Sequence, residues 1–365
     1  MKSEPHLLYH IISLMPLCIA LSTEVLMLAT MTRIRLQKYI HAAALILLLA
    51  SSIGLFFLLK ISPYWITNFG SWSAPFGITF VIDGLSIFMI ILVTLIALST
   101  GFYALTDIDE GQFKAGFLPA FWFLMIGMLG SVMTGDLFNL YVWFEMMLIS
   151  SFILMGLGKP KQWLLNKFKY VVLNLTGTML FLTGIALIYG MAGTLNMADL
   201  ANYFAHTTES GLALSVMLFL LLGMALKAAL FPVFSWLPAS YHTTSTTASA
   251  LMGGLLSKIG VYVMIRVFTL IYPLHNAPIL RDVLLVLAGC TMIMGVLGAA
   301  AQYNYRRILS FHIVSQIGYM VFGLAINTPL ALAATLFFIA HNILEDKFIF
   351  DRRCCPKYHT RNRYP

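Results

Sequence analysis

Apolar runs of about twenty residues recur along almost the whole chain, and a run of that length is what a membrane-crossing helix requires. The first covers Leu7 to Thr30 and the last starts near Pro329. Inside a bilayer no water satisfies the backbone, and an apolar run of this length meets that demand as a helix, whose N–H and C=O groups bond within the segment. The chain therefore reads as an all-α polytopic membrane protein with about 10–11 transmembrane helices. Composition agrees. Of 365 residues, 60% are hydrophobic and 10% charged, against roughly 45–50% apolar in soluble domains. The mean hydropathy is +0.88. The first run is too long for the apolar core of a signal peptide and lacks a small-residue cleavage site.

The net charge of +8 sits mostly in short loops and in the tail. No basic patch is interleaved with aromatics, so nucleic acid is not an expected partner. Cys18 and Cys290 fall in apolar runs, where cysteine behaves as a small hydrophobe. Cys354, Cys355 and His359 have no zinc spacing. No cysteine cluster suits an iron–sulfur centre, and no dinucleotide fingerprint follows a strand. No cofactor, metal or catalytic residue is expected.

The spans read as Leu7–Thr30, Ile40–Leu59, Gly84–Leu105, Phe117–Met133, Leu137–Leu157, Tyr170–Met191, Leu212–Leu237, Ala248–Ile271, Val283–Ala301 and Ile308–Ile326, with an eleventh from Pro329. Between the second and third, Trp65, Trp72, Pro63 and Pro75 predict a short hairpin or loop at the membrane surface, where aromatics are favoured. The segment 192–211 reads as a loop. Putting the N-terminus outside gives inner loops with ten basic residues, among them Arg33, Lys114, Lys159, Lys161, Lys167 and Arg306, against three outside: Lys2, Lys60 and Arg281. That bias fits the positive-inside rule.

A few polar residues lie within these spans. A lysine at mid-membrane costs about 2.5–3.5 kcal/mol on insertion scales, and such residues mark function by default. Lys227 and Lys258 flank a polar, proline-bearing stretch, LFPVFSWLPASYHTTST. Pro232 lacks an N–H and clashes with the carbonyl four residues back, which predicts a broken seventh helix with a freed Ala228 carbonyl beside Lys227. Glu145 has apolar neighbours on both sides and needs a cationic partner, for which Lys227 is the candidate. Asp136 lies about 13 Å from Glu145 along the helix, where capping is the expected role. Arg266 is expected to snorkel, and Glu24 to reach the interface. His312 and His341, with an imidazole pKa of about 6.5, suit a proton relay.

Three stretches carry a resemblance: TGDLFNLYVWFEMMLISSF, KAALFPVFSWLPASYHTTSTTASALMGGLLSKIGVYVMIRVF and YRRILSFHIVSQIGYM. With the APFGI and VIDGLS segment they make the chain resemble the proton-translocating antiporter family shared by respiratory complex I and the Mrp-type sodium/proton antiporters. The likeness covers nearly all of residues 1–344. It implies about fourteen helices with two inverted five-helix repeats, each holding a broken helix. In such proteins the fifth-span glutamate pairs with the seventh-span lysine, and an eighth-span lysine continues the path. Carried over, these are Glu145, Lys227 and Lys258. The implied divisions are 1–116 for helices one to three with the hairpin, 117–272 for the first repeat, 273–344 for an incomplete second repeat, and 345–365 for an aberrant basic tail. From Glu345 the sequence departs from the family, which reads as an out-of-frame ending or a natural cytoplasmic tail.

The resemblance implies a proton-conducting subunit of a multisubunit Na+/H+ antiporter in the cell (inner) membrane. Its partners would be other antiporter subunits, protons, Na+ and the lipid bilayer. One alternative is a membrane-arm subunit of an NADH:quinone or related oxidoreductase. The other is a non-functional truncated product.

Overall fold

The computed structural model describes residues 4–157, 164–206 and 211–350. Lys159, Lys161 and the tail with Cys354, Cys355 and His359 lie outside these residues. The chain begins with α1 (Glu4–Ala29) and α2 (Ile34–Leu58). A hairpin of β1 (Tyr64–Asn68) and β2 (Thr79–Asp83) follows, then α3 (Gly84–Asp107), α4 (Glu110–Lys114), α5 (Phe117–Met133) and α6 (Leu137–Gly156). Next come α7 (Leu164–Ala192), α8 (Met197–His206), α9 (Gly211–Ala228) and α10 (Trp236–Ser240). The last are α11 (Thr246–Leu251), α12 (Ser257–Arg266), α13 (Pro278–Ala300), α14 (Tyr305–Ile326) and α15 (Pro329–Phe350). π turns at Met252–Leu256 and Val267–Ile271 make Thr246–Ile271 one long element. Among the described residues nine helices are long and apolar enough to cross a membrane, with α5 and α15 as shorter apolar helices.

Helix starts follow the capping residues in the sequence. Asp83 accepts from the Ser86 N–H at 2.9 Å and Asp136 from the Asn139 N–H at 2.8 Å. Ser245 and Asn304 open α11 and α14 in the same way. Each satisfies an orphan donor of the first turn. The capping role expected of Asp136 is the one it has. Its burial lifts the carboxyl above the ordinary range, against the N–H bonds of Asn139 and Phe138.

α5 is apolar on every side and buried at every position except the partly exposed Phe123. A helix of that kind belongs inside a bundle. α6 lies close against it because Gly127 has no side chain: a Cβ there would sit 2.7 Å from the Met147 side chain.

Connections that the alternating layout puts on one side meet there. β1 and β2 pair antiparallel, Tyr64 opposite Asp83 and Asn68 opposite Thr79. Thr134 bridges to Phe80 and Asp136 to Asn196, and the Asn196 amide donates to the Thr79 hydroxyl. At the other end, Asp107 accepts from the Thr247 N–H and hydroxyl, and Arg306 donates to Ser249. The grouping of loops thus agrees with the span count.

Several local expectations change. The segment 192–211 contains α8, whose Leu200 and Phe204 are buried. α7 begins before Tyr170, so Lys167 is in the helix rather than a loop; it is buried and donates to the Gly156 carbonyl at 3.4 Å. A cation at the end of α6 is placed to meet its unsatisfied carbonyls. Glu24 is 8% exposed, so its side chain faces the bundle. α15 continues through Glu345 to Phe350, so helix does not stop where the sequence changes character.

Arg266 does not snorkel. Its guanidinium makes a two-pronged contact with both Asp83 oxygens and also donates to the Ser86 and Tyr262 hydroxyls. The partner is 183 residues away in sequence, which is why local reading missed it.

Candidate functional site

The site grows from the interruption of the seventh span. α9 stops at Ala228, and Ala229 takes a φ of +60°, a left-handed conformation uncommon for a residue with a side chain. The break therefore precedes Pro232, where the proline rule had placed it. Released backbone groups are met by neighbours. The Trp236 indole donates to the Leu226 carbonyl at 2.9 Å, and the Phe231 N–H donates to the Thr291 hydroxyl at 2.9 Å. Buried irregular backbone is tolerated when it is satisfied in this manner.

Lys227 occupies the last turn of α9, at the end of the helix that carries partial negative charge. With Phe144, Met147, Leu148, Tyr170, Asn174, Leu256 and Gly260 it lines a cavity of ≈ 20 Å³, room for about one water. Its Nζ lies 5.5 Å from the Phe144 ring centroid, within cation–π reach. The Tyr170 hydroxyl shares a 2.6 Å hydrogen bond with Ser151, and the Asn174 amide donates to the Tyr170 carbonyl. These give the pocket one polar wall.

Glu145 follows Phe144 on α6 and interacts electrostatically with Lys227. The two make no direct ion pair among the described residues, and Glu145 Oε1 is buried with no hydrogen-bond partner there. The expected glutamate–lysine neighbourhood exists, with a gap where a bond was expected.

Gly260 forms the wall toward α12. A Cβ at this position would lie 2.9 Å from the Ala228 nitrogen and 3.0 Å from its Cα. Gly260→Val is therefore expected to push α12 off the break and cost about 1–3 kcal/mol. A lowered unfolding temperature of the purified protein checks this; an unchanged one counts against the contact.

Lys258 is fully buried, and its Nζ donates to the Gly253 carbonyl at 2.6 Å. Gly253 belongs to the π turn Met252–Leu256. A π turn frees carbonyls from the regular ladder, so the lysine finds its acceptor on its own helix. Leu256 and Gly260 flank Lys258 in sequence and line the Lys227 cavity, so the element that carries Lys258 also forms one wall of that cavity.

His312 and His341 stand apart from that cavity, on α14 and α15. His312 Nε2 is 2.8 Å from Gln316 Nε2 and 3.9 Å from Glu345, and His341 Nδ1 is 3.7 Å from Glu345. Glu345, expected to open a tail, sits between the two histidines.

Other polar residues had left little trace in the sequence. His242 follows α10, with Nδ1 2.7 Å from the Pro238 carbonyl. Burial lowers its imidazole below the usual range, and the charges of Arg307 and Arg306 add to this, against the Pro238 bond. Buried Ser257, Gln316 and Asn342 each hold a polar atom without a hydrogen-bond partner among the described residues. The π turn has no sequence signature, and without it Ser257 reads as an ordinary small polar residue.

Residues 134–350 match the profile of a family described as NADH:quinone oxidoreductase/Mrp antiporter, transmembrane region. The chain is 42% identical over 315 residues to a Na(+)/H(+) antiporter subunit of Alkalihalophilus pseudofirmus, covering 86% of this chain and 64% of that one. It is 35% identical over 277 residues to the Na(+)/H(+) antiporter subunit of the same name in Bacillus subtilis, covering 76% and 56%. The chain thus spans about three fifths of the length of these relatives. Among solved structures, the Mrp complex from a Dietzia species superposes with a TM-score of 0.86 at 29% identity, over 94% of this chain and 64% of that one. An archaeal membrane-bound sulfane sulfur reductase superposes with a TM-score of 0.87 at 24% identity, over 93% and 70%, a likeness of fold.

Proposed function

The chain belongs to the NADH:quinone oxidoreductase/Mrp antiporter family, and we propose that it serves as the proton-conducting membrane subunit of a multisubunit sodium/proton antiporter. The observation that carries this reading is Lys227 at a helix break, lining a small cavity and in electrostatic reach of Glu145, with buried Lys258 between two residues, Leu256 and Gly260, that line the same cavity. In the proposed path the Glu145 carboxylate holds a proton on the Lys227 amine while the two are close. Loss of that influence lets the proton leave, because burial disfavours an unpaired charge. The proton passes along hydrated polar groups toward Lys258, then to His312 and His341. The five-helix unit 117–272 would carry the first half of the path. Other antiporter subunits would be the partners, in the cell membrane with the N-terminus outside.

The test is sodium-dependent pH change in vesicles containing the assembled complex. Glu145→Gln and Lys227→Ala are each expected to remove it, and full exchange in both variants overturns the reading. The family description also names NADH:quinone oxidoreductases, which supports a second reading as a membrane-arm subunit of a redox complex. Iron and flavin in the purified complex would favour the second reading, and their absence the first.

A further inference from the structure

Glu24 is a buried acid that the path through Lys227 does not use. It is 8% exposed, and its Oε2 is buried with no hydrogen-bond partner among the described residues. Ala20, Thr23 and Met27 are buried with it on one face of α1, while Val25, Leu26 and Leu28 face outward. It lies inside the first span, five residues from the end of α1, which is roughly 8 Å along the axis.

A second acceptor stands unmet on the neighbouring helix. Gln37 of α2 is 1% exposed and donates from Nε2 to the Met27 carbonyl at 2.7 Å. Its Oε1, at the other corner of the same amide, is buried without a partner among the described residues. Met27 comes three residues after Glu24, on the same face of α1. The Gln37 amide is thus fixed to the turn that follows Glu24.

Among the described residues no cation answers Glu24. α1 packs against α2, α5 and β1. α5 has no acidic or basic side chain, and β1 meets the far end of α1, where Trp65 packs on Tyr9. On α2 and its cap, Arg33, Arg35 and Tyr39 are exposed, and the Lys38 amine is drawn over the Phe113 ring, 4.2 Å from its centroid. The two helices run antiparallel, so His41, four residues after Gln37, comes to the level of Glu24. Both its nitrogens are taken. Nδ1 accepts from the Trp122 indole at 3.0 Å, which leaves the proton on Nε2, 3.2 Å from the Gly101 carbonyl. That ring is neutral and has no N–H to spare.

We propose that Glu24 is a proton-binding site separate from the Lys227 cavity, in which the neutral acid donates its hydrogen to Gln37 Oε1 and so fastens α1 to α2. One proton gives both stranded oxygens a partner and removes a charge that burial without a countercharge disfavours. A metal cation such as Ca²⁺ takes six or more oxygen ligands, and two free oxygens suit a single proton. When Glu24 ionises, its charge has no partner at this level and the fastening opens. The site is built from α1 and α2 alone, so it stands or falls independently of any path through Lys227.

The test is the infrared difference spectrum of the purified full chain in lipid, wild type minus Glu24→Gln, followed from mildly acid to alkaline pH. A carboxylic-acid band is expected at neutral pH, giving way to a carboxylate band in alkali. A carboxylate band already present at neutral pH overturns the site. In Gln37→Leu the acid band should shift, because its acceptor is gone; an unshifted band overturns the fastening. Thermal unfolding gives a second readout. An acid kept neutral by the fold costs stability as pH rises above its unfolded value of about 4.3, and glutamine does not. Wild type should therefore unfold with Glu24→Gln in mild acid and several degrees below it in alkali. Equal temperatures throughout overturn the proposal. So does a Glu24→Gln that unfolds lower in alkali or fails to accumulate, since a neutral acid loses little on exchange for a neutral amide.

Discussion

Lys227→Ala is expected to reduce sodium-dependent proton movement in vesicles to background. The amine lies on the wall of the cavity at the break of α9, and alanine leaves no proton-binding group there. Lys227→Arg makes the sharper version of the experiment. Arginine keeps the charge and fills the space, yet stays protonated under all ordinary conditions. If Lys227 works by taking up and releasing a proton, arginine is as inactive as alanine. If the residue only supplies a fixed positive charge to its surroundings, arginine retains most of the rate. Vesicle pH traces for the two variants, normalised to the amount of assembled complex, separate these outcomes.

The largest stability effect is expected at Arg266. Its side chain and that of Asp83 are 12% and 27% exposed, and the guanidinium is shared among Asp83, Ser86 and Tyr262. Removing one partner of a buried pair strands the other, at a cost of about 3 kcal/mol or more. Asp83→Leu and Arg266→Leu should each lower the unfolding temperature and the amount of protein in the membrane. Asp83→Leu combined with Arg266→Leu should recover much of the loss, since apolar replacements of buried pairs are often tolerated. Two single losses that simply add would argue against the pair.

The pH dependence of that pair has a definite sign. Burial alone would raise the Asp83 carboxyl, but the hydrogen bonds and charge of Arg266, with bonds from Ser86, hold it below its ordinary value of 3.8. A carboxylate lowered on folding stabilises the protein above its unfolded value and loses that contribution as pH falls through the folded value. The pair is therefore at full strength at neutral pH and weakens only as pH drops below 3.8. Unfolding temperatures of wild type and Asp83→Leu, Arg266→Leu should converge in that acid range.

Much of the architecture was legible because membrane helices announce themselves by length and apolarity. The fourth span, Phe117–Met133, appears with the bounds read from sequence, and the aromatic segment before α3 is a hairpin. What escaped was decided by distant partners or by backbone geometry. Arg266 looked like an end-of-span residue because nothing near it in sequence is acidic. The break of α9 depends on the backbone at Ala229, and no residue-type rule anticipates a left-handed alanine. α8 is short and half polar, so it resembled a loop. In the candidate site, Glu145, Lys227 and Lys258 were singled out by their charge in apolar surroundings. That could not reveal that Glu145 and Lys227 stop short of a direct bond, since side-chain reach is set by packing around the cavity.

The two lysines differ in what anchors them. Lys258 is tied to Gly253, five residues earlier on the same continuous helical element. Tilt or slide that rod and the charge and this acceptor travel together. Lys227 sits at a joint where a rod ends, between surfaces supplied by α6, α7 and α12. Small relative movements of those three change what the amine meets. In mechanical terms the Lys227 amine is a sliding contact, whose surroundings follow the relative positions of three helices.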